Sequence, residues 1–130
     1  MTDGLTGKLQ LREGHRLALF NPPEGYEARL ATDLSGVTLD DGEGSPDAVL
    51  AFVTTRDQAL DVAPRAFELV RGGGLVWLAY PKGGSGVPTD LNRDVLWATL
   101  DQTGWRPVRQ IALDETWSAM RFRPEDEVGR

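Results

Sequence analysis

No cysteine occurs in the 130 residues. Disulfides, thiolate metal sites and cysteine nucleophiles are thereby excluded. One histidine, His15, is also too few for an ordinary zinc site, which would have to draw most of its ligands from carboxylates. No metal is expected. Long hydrophobic runs are missing too. The longest, Ala48 to Val53 and Leu75 to Tyr80, fall far short of a bilayer's thickness. The start, Met1-Thr2-Asp3-Gly4, has neither a basic stretch nor an apolar core, so it does not read as a secretion signal, and a cytoplasmic setting is expected. Positive charge is scarce as well: 14 Lys and Arg stand against 20 Asp and Glu, a net charge of −6. That excess opposes sequence-independent binding to nucleic acid or anionic lipid, so neither partner is expected. Arg106, Arg109, Arg121 and Arg123 crowd the last quarter, where they read as charges offsetting carboxylates on solvated strand faces.

Hydrophobic residues make up 40% and charged residues 26%, the balance of a folded domain rather than a disordered chain. One domain over 1–130 is expected, with 1–14 and 124–130 loose. Leu17-Ala18-Leu19-Phe20 reads as a buried first strand stopped by Asn21-Pro22-Pro23. Asn21 is placed to cap a short helix whose first turn holds the prolines and whose buried stripe is Tyr26 and Leu30. Val37 to Leu39 is a brief second strand running into Asp40-Asp41-Gly42-Glu43. Ala48 to Val53 and Leu75 to Tyr80, apolar on both faces, read as central parallel strands. Between them Thr55 and Gln58 have capping-box spacing. Pro64 predicts a break in the helix that follows, with Asp61 capping a new start. A loop from Pro81 to Thr89 leads to a helix from about Asp90 to Thr103, ended by Gly104. Val108 to Leu113 and Trp117 to Phe122 alternate as a hairpin around Asp114-Glu115-Thr116. The alternation predicts a Rossmann-like three-layer α/β/α fold, with a mostly parallel sheet and a C-terminal antiparallel hairpin.

Leu69-Val70-Arg71-Gly72-Gly73-Gly74-Leu75-Val76-Trp77 resembles the helix-glycine-strand segment late in class I methyltransferases. More closely, Tyr80-Pro81-Lys82, Thr89-Asp90-Leu91-Asn92-Arg93-Asp94 and the stretch Asp114 to Phe122 together resemble a short bacterial family, domain of unknown function 3052. The likeness runs from Lys8 to Pro124 and implies a degenerate methyltransferase-like domain. The departure from methyltransferases lies after the first strand. Their cofactor turn is glycine-rich, whereas here Pro22 and Pro23 remove two N–H donors and fix φ. Gly72 to Gly74 precede a strand and so lie at the other end of the sheet. No cofactor is expected, neither adenosylmethionine nor a dinucleotide.

Ligands of open parallel sheets bind beyond the carboxyl ends of the strands. That rule selects Asn21, Asp40, Thr54 and the loop opening at Pro81. In that loop Lys82 offers charge, Gly83 allows close backbone approach, and Ser85 and the next helix start could meet an anion. Asp90, Arg93 and Asp94 would position a substrate or, as the reading preferred here, cap the helix and pair with each other. Asp114 and Glu115 read as turn residues. His15 lies away from the crevice, and no catalytic residue is identified. The leading expectation is therefore a non-catalytic domain acting through protein contacts or weak small-ligand binding. The alternative is a small enzyme or nucleotide/phosphate binder whose Lys82 and Ser85 loop grip an anion. A protein partner, or a homodimer through the hairpin edge, fits the first reading.

Overall fold

A computed structural model describes residues 7–34, 36–40, 46–70 and 74–124. Its elements are β1 (Arg16–Phe20), α1 (Tyr26–Asp33), β2 (Thr38–Asp40), β3 (Ala48–Phe52), α2 (Arg56–Leu69), β4 (Leu75–Pro81), α3 (Arg93–Leu100), a 3₁₀ turn (Asp101–Thr103), β5 (Trp105–Ala112) and β6 (Trp117–Pro124). They form one six-stranded sheet in the order β2-β1-β3-β4-β6-β5. The first four strands are mutually parallel, while β6 runs antiparallel to both β4 and β5. The expected Rossmann-like sheet with a C-terminal antiparallel hairpin is what the chain forms.

Strand alternation divides the core in two. Val49 and Ala51 of β3, Val76, Leu78 and Tyr80 of β4, and Met120 and Phe122 of β6 face α2 and α3. Leu50, Phe52, Trp77, Ala79, Trp117 and Ala119 face α1 and the segment holding Leu9 and Leu11. Both faces of β3 and β4 are therefore covered, which explains their unbroken apolar composition.

Four local expectations need correction. Leu9 and Leu11 are buried, and the Trp77 indole Nε1–H donates to the Leu9 carbonyl at 3.0 Å, so this part of the 1–14 segment is not loose. Residues 1–6 and 125–130 lie outside the described residues. The cap of α1 is Gly25, in the left-handed region at φ 79°, rather than Asn21. The prolines sit in the preceding loop because Gly25 can make the turn into the helix at no steric cost. Third, α2 passes through Pro64 without a break. The proline and the side chain of Leu60, whose carbonyl it deprives of a donor, are both on the solvent face, where the loss of the bond costs least. Finally, α3 begins at Arg93 with Asn92 as cap, its side-chain oxygen accepting from the Val95 N–H at 2.9 Å. Asp90 is thus outside that helix.

Gly74 shows why glycine stands immediately before β4. A Cβ there would stand 2.6 Å from Val70 Cβ and 2.9 Å from the Asp47 carbonyl oxygen, so the close approach admits only glycine. Gly72 and Gly73 lie outside the described residues.

The hairpin register brings arginines opposite one another. Arg109 stands opposite Arg121, and Arg106 opposite Arg123, so like charges pair across the strands. Burial and the neighbouring Arg123 and Arg109 lower the Arg121 pKa, and its Nη1 donates to Gln10 at 2.7 Å. Like charges directly opposite weaken a strand pair. Arg109→Glu is expected to raise stability by about 0.5 kcal/mol, read by urea denaturation at low salt and fading at high salt.

Candidate functional site

In this sheet the order of strands reverses between β1 and β3: β2 lies on one side of β1 and the rest of the sheet on the other. The crevice beyond the carboxyl ends of β1 and β3 is where such sheets place ligands. Asn21 follows β1 there, exposed and left-handed at φ 54°. Together with Gly25 at φ 79°, it supplies the backbone freedom that the intervening prolines lack. The first turn of α1 has no side-chain cap, so its N–H groups point toward the crevice end uncovered by a side chain. Asp40 is the last residue of β2, opposite Ala18. Asp41 to Gly44 lie outside the described residues.

Thr54, at the end of β3, is tied down from several directions. Its N–H donates to Gln58 Oε1 at 2.7 Å, while the Gln58 N–H donates to Thr55 Oγ1 at 3.1 Å, which realises the expected cap of α2. Its carbonyl accepts the Thr89 hydroxyl at 2.6 Å and the Asp90 N–H at 3.3 Å. The Asp90 carboxylate accepts from the Arg56 N–H at 2.9 Å. Asp90 therefore caps α2, a helix 34 residues earlier, and clamps the loop after β4 against it. It does not pair with Arg93. That arginine meets Asp94 at 3.3 Å, with both side chains more than half exposed, an ion pair worth little.

Lys82 has other partners. Its N–H donates to the Thr116 carbonyl at 2.8 Å, fastening the end of β4 to the hairpin turn. Ser85 is spent on its own loop: its N–H reaches the Lys82 carbonyl, and its hydroxyl accepts from Val87. Gly83 is exposed with open space where a Cβ would stand. The hairpin turn itself is organised by Asp114. One carboxylate oxygen accepts the N–H groups of Thr116 and Trp117 at 2.7 and 2.8 Å. The other accepts the Tyr26 hydroxyl and Arg29 Nη1, both at 3.0 Å. Burial pushes the Asp114 pKa up, but these four donors outweigh it and hold the group below the usual aspartate value. Burial, reinforced by the bond to Asp114 and its charge, drives the Tyr26 hydroxyl far above the usual tyrosine range. Beside this knot lies a pocket of about 620 Å³ lined by Lys8, Arg29, Lys82, Asp114, Glu115 and Thr116, among others.

The sequence-selected residues thus separate. Thr54 and Asp90 are bonded together, Lys82 joins the hairpin turn, Asn21 and Asp40 end β1 and β2, and Arg93 stands apart. Tyr26, Arg29, Lys8 and the wider role of Asp114 were not selected. Only the acidic turn gave any signal, and its partners lie 85 and 88 residues upstream. Among the described residues no group of three or more metal-ligating side chains forms.

Solved structures share this architecture. A putative type 11 methyltransferase from Sulfolobus solfataricus aligns with a TM-score of 0.60 at 10% identity, covering 97% of this chain and 92% of its own. Aeropyrum pernix fibrillarin, in complex with natively bound S-adenosyl-L-methionine, gives 0.55 at 17% identity over 86% of this chain and 67% of its own. The fold is the Rossmann-like fold of class I methyltransferases. A ribosomal protein L11 methylase from Lactobacillus delbrueckii subsp. bulgaricus aligns at 0.50 and 13% identity over 84% of this chain, which spans only 57% of that methylase's length. No protein-family model matches the chain, and no curated protein does.

These likenesses correct the expectation of a non-catalytic domain. That reading rested on a framework kept while its cofactor turn was lost, yet the structures sharing this fold include a putative methyltransferase and a fibrillarin that holds S-adenosyl-L-methionine. The turn also differs from the one inferred, because left-handed Asn21 and Gly25 bracket the two prolines. Among the described residues no helix is long and apolar enough to cross a membrane.

Proposed function

We propose that this chain catalyses methyl transfer from adenosylmethionine, with the cofactor in the crevice between β1 and β3 and the acceptor in the pocket beside Lys82. The observation that carries the reading is the reversal of strand order between β1 and β3 in a sheet shared with methyltransferases. The residues at this crevice fit the cofactor's polar groups. Asn21 and Gly25 give the loop its positive-φ turns, and the first turn of α1 keeps N–H groups that no side chain covers. Asp40 ends the second strand, where related folds place a ribose-binding carboxylate. Thr54 is held rigid by Gln58, Thr89 and Asp90, which fixes the wall on the β3 side. Held by Asn21, Gly25, the first turn of α1 and Asp40, the cofactor would supply an electrophilic methyl group on a sulfonium. The chain's part is to hold the acceptor in line and to exclude water.

A finer affiliation, with domain of unknown function 3052, draws on the Tyr80-Pro81-Lys82 and Asp114 to Phe122 stretches. A cytoplasmic setting accords with the same reading.

Adenosylmethionine at a hundred times its dissociation constant is expected to stabilise the native state by about 2.7 kcal/mol in a thermal melt. Asp40→Ala should weaken that binding about tenfold, at a cost near 1.4 kcal/mol. A melt unmoved by adenosylmethionine and adenosylhomocysteine alike would defeat the proposal.

A further inference from the structure

The pocket beside Lys82 is built from three distant parts of the chain: Lys8 before β1, Arg29 on α1, and Lys82 with Asp114 to Thr116 after β4 and before β6. Its charged lining is three cations against two carboxylates, within a chain whose net charge is −6. Asp114 is already saturated by four donors and has little acceptor capacity left for a ligand. Arg29 spends its guanidinium on Asp114 and on Asp33, at 3.0 and 3.5 Å. Lys8 and Lys82 remain, and neither is ion-paired among the described residues. An acidic chain repels anions in general, so two such ammonium groups at one cavity mark where an anion is admitted. The volume, about 620 Å³, suits a small molecule rather than a polymer segment.

From this we infer that the methyl acceptor is a small molecule bearing an anionic group, a carboxylate or a phosphate, seated between Lys8 and Lys82. The inference rests on the methyltransferase reading and names the substrate class of the same site. Arg29 and Asp114 are its positioning frame: they lock the hairpin turn to α1, and the turn holds the Lys82 backbone through the Thr116 carbonyl. Glu115, also on the lining, disfavours an acceptor with a second negative charge near the turn.

The test is a chemical-shift titration of the full chain with acetate and, separately, inorganic phosphate, at constant ionic strength, with and without adenosylhomocysteine. Saturable shifts at the amides of Lys82, Gly83, Glu115 and Thr116 are expected with at least one anion, and the responding anion identifies the group. The Lys8→Gln/Lys82→Gln double variant should weaken that anion about tenfold while adenosylhomocysteine affinity stays within about twofold. Both lysines are surface residues and their backbone bonds are kept, so the variant should fold. Absence of saturable shifts with either anion, or equal shifts in the double variant, would overturn the inference. If adenosylhomocysteine binds and neither anion does, the acceptor class is wrong and the methyltransferase reading stands. If an anion binds and adenosylhomocysteine does not, that reading fails and the acceptor role falls with it.

Discussion

Trp77→Ala is expected to cost about 4 kcal/mol, the range for truncating a buried aromatic in a packed core. Trp77 is fully buried in the middle of β4, between Leu50 on β3 and Arg121 on β6. Its ring fills the layer beneath α1, and its Nε1–H satisfies the Leu9 carbonyl. Truncation opens a cavity and strips that carbonyl of its donor. Small domains have only about 5 to 15 kcal/mol of stability in total, so the variant should unfold at markedly lower urea. Trp77→Phe separates the two effects: most of the packing stays and the hydrogen bond goes, for about 1–2 kcal/mol. Because Leu9 adjoins Lys8, the phenylalanine variant should also weaken anion binding in the pocket more than its modest destabilisation implies. A loss below about 1.5 kcal/mol for Trp77→Ala would mean that this layer is not packed as described.

Asp114→Ala should cost about 3 kcal/mol, since it leaves the Tyr26 hydroxyl and two backbone N–H groups without their charged acceptor. The pH dependence follows from the direction of each shift. The Asp114 pKa is depressed in the folded state, so its contribution is present above the ordinary aspartate value of 3.8 and is lost as pH falls through the folded value. The Tyr26 pKa is raised, so its contribution is full below the ordinary value of 10.0 and declines as pH rises past it. Stability should thus sag at both ends. Asp114→Asn should flatten the acid limb and Tyr26→Phe the onset of the alkaline limb, in guanidinium titrations run from about pH 2 to 11. An acid limb unchanged in Asp114→Asn would show that other carboxylates carry it.

Much of the frame was readable because it depends on local pattern. The unbroken apolar runs of β3 and β4 announce strands covered on both sides, and the alternation in β6 announces a hairpin. Thr55 and Gln58 formed the cap that their spacing suggests. What failed depended on neighbours the chain meets only after folding. Asn21 before two prolines has the chemistry of a helix cap, yet Gly25 took that place. Asp90 has the chemistry of a cap for the nearest helix, but capped α2 instead. Leu9 and Leu11 are too few to form a periodic stripe, and their place is in the core layer that holds Trp77. Lys8, Arg29 and Lys82 have no relation along the sequence at all. Their meeting at one pocket is a product of topology.

Two of the tryptophans lie in opposite layers and give the protein its own optical reporters. Trp105 lies flat against Phe67, with ring centres 4.1 Å apart, in the layer of α2 and α3. Trp117 stands edge-on to Phe52 in the other layer, and its backbone N–H donates to Asp114 at the pocket wall. Emission from Trp117 should therefore respond when a guest enters beside Asp114, while emission from Trp105 stays indifferent, and no dye need be attached to watch the site fill.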